Sequence, residues 1–217
     1  MVNAILFDLD GTLLNTLEDL MDATNYAVTK FGYAKTNLED VRKNIGNGIL
    51  MLIRRTVNFD DTNLEKMHNL FKIYYKENCN VHTKPYDGII EVLDYIKSQN
   101  IHMGVITNKP YFAAKKLIES HFPGYFDMIL GDQMDLNLKR KPDSSMIEYY
   151  LNRFNLCKDE VIYVGDSDVD IETVKNAGVK GAIVSYGFRD ENELLKLTNK
   201  TYKNPIELLK YIKSCTL

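Results

Sequence analysis

Short apolar runs that alternate with amphipathic helical stretches organise most of this 217-residue chain. The uninterrupted apolar run at 4–7 predicts a strand that is buried on both faces of a sheet. Later runs, separated by helix-length segments such as 89–96, 111–118 and 146–154, predict further strands at 103–106, 128–130, 161–164 and 182–184. This alternation predicts an α/β fold with a doubly wound, mainly parallel sheet.

The residues after the first predicted strand have helical spacing. Apolar side chains recur along one face over 17–31, which predicts an amphipathic helix. Thr16, with Asp19 three residues later, resembles an acidic capping box at the start of that helix. Further helical patterns cover 49–57 and 64–75. This part of the chain is therefore expected to be all-helical.

The helical stretch predicts a second domain, because no strand pattern is found between Asn15 and Lys84. We expect an inserted α-helical cap over 15–83 and an α/β core made of 1–14 and 84–217. The cap would lie above the carboxyl end of the first strand. Its two chain crossings would form a hinge and let it act as a lid.

Composition and charge narrow the function classes. The formal net charge is −3, which gives no basic footprint for a nucleic acid. No membrane span is expected, since no apolar run approaches about eighteen residues, and no basic leader precedes the first apolar run. The three cysteines never form a CxxC pair, so neither a disulfide framework nor a zinc site is expected. A reducing cytoplasm is the favoured compartment. We expect small-molecule chemistry, in a monomer or a dimer.

Two carboxylates stand where the first predicted strand meets a glycine turn. Asp8 follows the apolar run, and Asp10 lies two residues on, before Gly11. Ligands bind at the carboxyl edge of open parallel sheets, and two anions there raise each other's pKa unless a cation lies between them. Carboxylates without a Cys or His cluster favour Mg²⁺.

Three further polar clusters follow later predicted strands and should converge on the same edge. Each alone has an ordinary explanation, such as a strand-to-loop transition, surface charge or a helix cap. Their joint placement and order predict a chemical site. The clusters are Thr107-Asn108-Lys109, Lys141-Pro142, and Gly165-Asp166-Ser167 with Asp170.

In order, these features resemble the four motifs of the haloacid dehalogenase superfamily. The resemblance spans the chain and is to the phosphatase branch with a helical cap inserted after the first strand of a Rossmann-like core. Within that branch, 41–49 and 85–88 resemble phosphoglycolate phosphatases. The four motifs read Asp8-Leu9-Asp10-Gly11-Thr12, Thr107-Asn108, Lys141-Pro142, and Gly165-Asp166-Ser167 with Asp170.

The resemblance implies covalent catalysis by two of these carboxylates. Asp8 would attack phosphorus and carry an aspartyl-phosphate. Asp10 would protonate the leaving oxygen and then deprotonate the attacking water. A dehalogenase needs no acid at this second position, because a halide leaves without a proton, so Asp10 favours phosphoryl transfer.

The resemblance also implies where phosphate and metal would bind. Lys141 would neutralise charge shared by the nucleophile and the phosphoryl group, and Thr107 with the backbone after it would hold phosphate oxygens. Mg²⁺ would be bound by Asp8, the Asp10 carbonyl and Asp166, with Asp170 in support. The residues expected around phosphate are Asp8, Gly11, Thr107, Asn108 and Lys141.

The implied function is Mg²⁺-dependent hydrolysis of a small phosphorylated metabolite, with 2-phosphoglycolate as the first expectation. A sugar-phosphate mutase related to β-phosphoglucomutase would use the same motifs. Pyrophosphate and nucleoside monophosphates are further candidate substrates. A phospho-accepting signalling module is less favoured, since it needs neither the helical insertion nor an acid at Asp10.

A glycine turn in the cap is the candidate for substrate selection. Gly46 and Gly48 most simply mark a turn between two helices. The functional hypothesis is that this turn selects substrate and that one of the basic residues around it meets a substrate carboxylate. These residues are Arg42, Lys43, Arg54 and Arg55. The segment that begins at Gly46 resembles the start of a dinucleotide-binding motif, but it has no third glycine and no strand before it. No nicotinamide site is therefore expected there.

Overall fold

The structure, a computed structural model, describes residues 1–46, 48–132 and 136–216. The chain divides into two units. One consists of Met1–Asn15 with Pro85–Leu217, and the other is Thr16–Lys84. We call these the α/β unit and the helical unit.

Strands are concentrated in the α/β unit. Five of them form a parallel sheet in the order β5-β4-β1-β6-β7, and β2 pairs with β3 in a separate two-stranded sheet. All predicted strands are present, which confirms the parallel α/β sheet. The strands of the described residues are β1 (Ala4–Phe7), β2 (Leu14–Asn15), β3 (Lys84–Pro85), β4 (His102–Pro110), β5 (Met128–Asp132), β6 (Val161–Gly165) and β7 (Lys180–Ile183).

Helices surround this sheet and make up the helical unit. The six predicted helices are present. The apolar pattern did not reveal α2, because that helix buries only Val41. The helices of the described residues are α1 (Leu17–Thr29), α2 (Leu38–Asn44), α3 (Ile49–Thr56), α4 (Leu64–Asn78), α5 (Ile89–Ser98), α6 (Tyr111–His121), α7 (Ser145–Phe154), α8 (Asp168–Ala177), α9 (Glu191–Leu194) and α10 (Pro205–Thr216). None of them is long and apolar enough to cross a membrane.

The central strand β1 is buried from both sides. Ile5 and Phe7 join one apolar cluster with residues of α5, α6 and α10, whereas Ala4 and Leu6 join a second cluster with residues of α7 and α8. This alternation follows from the period of two along a strand. Because both faces are covered by helices, the whole strand is apolar and its carboxyl end is held firmly.

The predicted capping box at the start of α1 is wrong. Thr16 makes no side-chain cap hydrogen bond. The buried Asp19 carboxylate accepts instead from the backbone N–H groups of Val81, His82 and Thr83 and from the Thr83 hydroxyl, at 2.6–3.1 Å. Long-range donors replaced the local cap, and they fix the end of the helical unit to α1.

Candidate active site

The carboxyl ends of β1, β4 and β6 bring the predicted motif residues together. From β1 the chain adds β4 and β5 on one side and then returns to place β6 on the other. Such a reversal of strand order opens a crevice at the carboxyl edge. Asp8 and Asp166 directly follow β1 and β6, Thr107 lies in the last part of β4, and all three are buried. The core motifs thus converge at one place in the fold.

Lys141 lies at the centre of this group. Its Nζ is 3.0 Å from Oδ1 of Asp8 and 2.7 Å from Oδ1 of Asp170. It also donates to the Tyr163 hydroxyl at 2.9 Å. Burial alone would favour the neutral amine, but the charges of Asp170 and Asp8 raise the pKa of Lys141 above its usual value. A fixed positive charge therefore lies against the predicted nucleophile.

Asn108 holds the backbone that carries this lysine. Its side-chain amide donates to the Lys141 carbonyl at 3.0 Å, and its side-chain carbonyl accepts from the Lys141 N–H at 2.8 Å. This two-way pairing joins the end of β4 to the loop after β5. The Asn108 side chain therefore holds the Lys141 backbone in place. The contact of Asn108 with phosphate remains a prediction, and its backbone N–H would make it.

Three buried carboxylates form a cluster that fits a hard cation. One oxygen from each of Asp8, Asp166 and Asp170 lies within 4.8 Å of the others. Burial raises the pKa of Asp8 to about 6, with the Asp170 charge adding to the rise and the Lys141 charge opposing it. Burial likewise raises the pKa of Asp166 well above its usual range. Burial is the largest cause of both rises, and the charges of neighbouring carboxylates add to it. A divalent cation bound here would offset that repulsion between the carboxylates.

The formal charges of the site lead to the same conclusion. Lys109 pairs with Asp10 at 2.7 Å, while Lys141 pairs with Asp8 and Asp170. Together with Asp166, the fully ionised site has four carboxylates and two ammonium groups and so carries two net negative charges. An all-oxygen donor set with this deficit suits Mg²⁺.

Asp170 is arranged to support the site. Its Oδ2 accepts from the N–H groups of Asp166 and Ser167 and from the Ser167 hydroxyl at 2.6–3.1 Å, while Oδ1 receives Lys141. These donors occupy most of the lone pairs of one carboxylate. Asp170 therefore holds Lys141 and the loop after β6, and its supporting role toward a metal remains a prediction.

Two glycines let the backbone approach the Asp166 carboxylate. A Cβ on Gly11 would lie 2.2 Å from Oδ2 of Asp166, and one on Gly187 would lie 2.5 Å from the same atom and 2.3 Å from the Gly11 carbonyl oxygen. The next residue, Phe188, donates its N–H to Oδ2 of Asp166 at 2.8 Å. Gly187 and Phe188 were not predicted, although they follow a predicted strand whose carboxyl end lies on the same edge.

We expect Gly187→Ala to weaken metal binding. The added methyl group must displace either the Gly11 carbonyl or the Asp166 carboxylate, which should raise the Mg²⁺ concentration for half-maximal activity about tenfold and destabilise the fold by about 1–3 kcal/mol. Activity titrated with Mg²⁺, alongside thermal melting, would measure both effects.

Gly181→Ala is the matched control, because its Cβ would press on the Val174 side chain at 2.9 Å, away from the carboxylates. It should lower stability without changing the Mg²⁺ requirement. Equal Mg²⁺ requirements in the two variants would contradict the prediction.

Two residues contact the motif side chains in ways that were not predicted: Lys109 was named in a polar cluster but given no role, and Tyr163 was not singled out. Lys109 forms the ion pair with Asp10, and Tyr163 lies between Lys141 and Asp170, 2.9 Å from each. Lys109 adjoins a predicted motif, but nothing in the local sequence distinguishes it from an ordinary loop lysine. Tyr163 lies within an apolar strand run that predicts only burial.

The residues predicted to select substrate all lie in the helical unit. Arg54 forms a two-point pair with Asp61 at 2.8 Å, and Arg42 lies 3.8 Å from Glu39. Gly46 and Gly48 have φ of 125° and 85°, which supports the simpler interpretation of a turn before α3. Asn47 lies outside the described residues. Substrate selection by this turn remains a prediction.

Known proteins are similar to this chain in both sequence and fold. Residues 5–184 match the family model described as haloacid dehalogenase-like hydrolase. The phosphoglycolate phosphatase of Aquifex aeolicus is 31% identical over 210 residues, which cover 96% of each chain. That of Thiobacillus denitrificans is 33% identical and covers 86% of this chain and 85% of its own.

A crystal structure of a protein from Lactobacillus delbrueckii subsp. bulgaricus superposes with a TM-score of 0.91 at 28% identity, covering 97% of this chain and 98% of that one. The shared fold confirms the predicted α/β architecture. The family match and the identity to named phosphatases over most of the chain identify the class of enzyme. The chain therefore belongs to the haloacid dehalogenase-like hydrolases and is a phosphatase that resembles phosphoglycolate phosphatases.

Proposed function

We propose that this phosphatase hydrolyses 2-phosphoglycolate with Mg²⁺ through an aspartyl-phosphate on Asp8. The observation that carries the proposal is the environment of Asp8. This carboxylate is buried, lies 3.0 Å from the Lys141 ammonium and is two residues from a second carboxyl group at Asp10. A nucleophile, a cation and an acid are thus present at one strand end.

In the first step, an Asp8 oxygen attacks phosphorus and the bond from phosphorus to the leaving oxygen breaks. Oδ1 of Asp8 accepts from the Leu9 N–H at 2.7 Å and from Lys141 at 3.0 Å, so the carboxylate plane is fixed before substrate arrives. Asp10, protonated on Oδ2 while Oδ1 accepts from Lys109, gives its proton to the leaving oxygen. The product alcohol departs and the phosphoryl group remains on Asp8.

In the second step, a water molecule attacks the phosphorus of the aspartyl-phosphate. Asp10, now a carboxylate, takes a proton from that water. The bond between phosphorus and the Asp8 oxygen breaks, inorganic phosphate leaves, and both carboxyl groups return to their starting states. Lys141 stays beside the Asp8 oxygen throughout and stabilises the negative charge that returns to it.

Mg²⁺ would be held by Asp8, the Asp10 carbonyl and Asp166, with Asp170 in support. When bound, it supplies positive charge that lowers the repulsion between the carboxylates and an anionic substrate. The fit rests on the clustered carboxylates and on the charge deficit described above. Free Cys79, Cys157 and Cys215 are consistent with action in a reducing cytoplasm.

The choice of 2-phosphoglycolate is supported by the names of relatives that are 31% and 33% identical. A β-phosphoglucomutase-like mutase, a pyrophosphatase and a nucleotidase would use the same core chemistry. They differ in the group that receives or releases phosphate, which the strand-end residues do not select.

Phosphate release from a panel of substrates tests this proposal. The panel contains 2-phosphoglycolate, pyrophosphate, nucleoside monophosphates and β-glucose 1-phosphate. We expect the highest kcat/KM for 2-phosphoglycolate. Because the metal should lower the activation barrier by several kcal/mol, EDTA should reduce the rate about 10³-fold or more, and added Mg²⁺ should restore it.

Activity that survives EDTA would contradict the metal proposal. A preference for another panel member would overturn the proposed substrate. Conversion of β-glucose 1-phosphate to an isomer without phosphate release would favour the mutase. A stable phosphoprotein that turns over slowly would favour the signalling module.

A further inference from the structure

A second buried ion pair lies beside the one that holds Asp8. Lys109 Nζ is 2.7 Å from Oδ1 of Asp10, and the Lys109 side chain is only 2% exposed. An ammonium group that is so buried must be paired, because removing it from water costs several kcal/mol. The site therefore uses two lysines, one for the nucleophile and one for the adjacent acid.

The end of β4 is shaped to deliver this lysine. The pairing of β4 with β5 shifts register between Ile106 and Pro110. Within that irregular stretch, the Lys109 N–H donates to the Thr107 hydroxyl at 3.2 Å. Gly131 lets the strands approach, since a Cβ there would lie 2.9 Å from the Lys109 carbonyl oxygen. Irregularities of this kind turn side chains toward a site, and this one places Lys109 on Asp10.

We propose that Lys109 is a positioning residue that acts through Asp10. The ion pair fixes Oδ1 of Asp10 and so orients the carboxyl group for proton exchange with the leaving oxygen and with water. This inference rests on the proposed function, in which Asp10 is the acid and base. Lys109 thus does for Asp10 what Asn108 and Asp170 do for Lys141.

A double-mutant cycle tests the inference. Lys109→Met keeps the length of the side chain but removes its charge and donors, whereas Lys109→Arg keeps both. We expect Lys109→Met to lower kcat with 2-phosphoglycolate about 10²-fold, the low end for general acid–base catalysis, and Lys109→Arg to recover most of that loss. In the Asp10→Asn background, Lys109→Met should cause little further loss, because the residue through which it acts is already disabled.

The leaving group gives an independent readout. The ratio kcat/KM reports steps up to departure of the leaving group, and p-nitrophenolate leaves without a proton. Lys109→Met should therefore reduce kcat/KM less for p-nitrophenyl phosphate than for 2-phosphoglycolate. Lys115→Met is the matched control, because Lys115 is an exposed lysine in α6 that pairs with Glu119 at 3.7 Å. It should leave both substrates unaffected.

Several results would overturn the inference. Losses that multiply in the double variant would show that Lys109 acts independently of Asp10. A rise in the inhibition constant of inorganic phosphate equal to the loss of kcat/KM would show that Lys109 binds the phosphoryl group directly. If Lys109→Met and Lys109→Arg both lowered kcat/KM by the same factor for the two substrates, the Lys109–Asp10 pair would have a purely structural role. Full activity in Asp10→Asn would instead refute the proposed function.

Discussion

Asp8→Asn is expected to abolish phosphate release, with kcat reduced at least about 10⁴-fold, the scale on which covalent hydrolases lose activity without their nucleophile. An amide has no anionic oxygen with which to attack phosphorus. The substitution is nearly isosteric, and its carbonyl oxygen can still accept from Leu9 and Lys141, which contact Oδ1 in the native site. The loss would therefore reflect chemistry rather than folding.

Single-turnover trapping checks the origin of that loss. Wild-type protein quenched in acid during turnover should carry a phosphoryl group on Asp8, and Asp8→Asn should carry none. Asp94→Asn is the control, because Asp94 is a carboxylate of α5 that accepts from the Tyr125 hydroxyl outside the site. It should keep wild-type kcat. Phosphoenzyme on Asp8→Asn would identify a different nucleophile and overturn the mechanism.

The sequence pattern predicted the sheet because burial and local chemistry agree there. The uninterrupted apolar run of β1 predicts a strand that is covered on both faces. The same holds for β6, whose five residues are all buried. Strand ends then determine the edge at which Asp8 and Asp166 meet. The order of the motifs along the chain was sufficient to expect their convergence.

The sequence pattern did not reveal contacts formed between distant segments. Asp19 sits in a position typical of a capping box, yet its partners are 62 to 64 residues away. Lys109 pairs with Asp10, and Gly187 lies close to Asp166 and to the Gly11 carbonyl. Such contacts depend on tertiary geometry, which overrides local propensity and leaves no periodic signal.

The residues of the helical unit that would recognise substrate are also difficult to predict from the sequence. Arg54 was an attractive candidate for a substrate carboxylate because arginine binds carboxylates at two points. The structure shows two-point pairing with Asp61 of the same unit. The residue types in this part of the chain therefore indicate which groups could recognise a substrate, but not which of them already pair with another side chain.

Lys141→Met is expected to affect both activity and stability. It removes the cation that lies 3.0 Å from Asp8 and 2.7 Å from Asp170, and leaves two buried carboxylates without it. Breaking one side of a buried ion pair typically costs about 3–5 kcal/mol in the free energy of unfolding. The loss of transition-state charge stabilisation should lower kcat about 10³-fold. Urea denaturation and steady-state kinetics would measure the two effects.

Lys139→Met is the control for this variant. Lys139 has an 80% exposed side chain 3.7 Å from Asp143, and an exposed pair of this kind contributes less than about 1 kcal/mol. Its loss should leave both measurements nearly unchanged. If Lys139→Met and Lys141→Met lowered stability and kcat equally, the role proposed for Lys141 beside Asp8 would be wrong.

Combining Lys141→Met with Asp170→Asn separates stability from chemistry. Asp170→Asn removes one of the carboxylates that the missing lysine would leave buried, so the double variant should regain part of the lost free energy of unfolding. It should not regain activity, because Asp8 still lacks the positive charge 3.0 Å away that stabilises the developing anion. Recovery of kcat together with stability would show instead that Lys141 contributes to the reaction only by holding the fold.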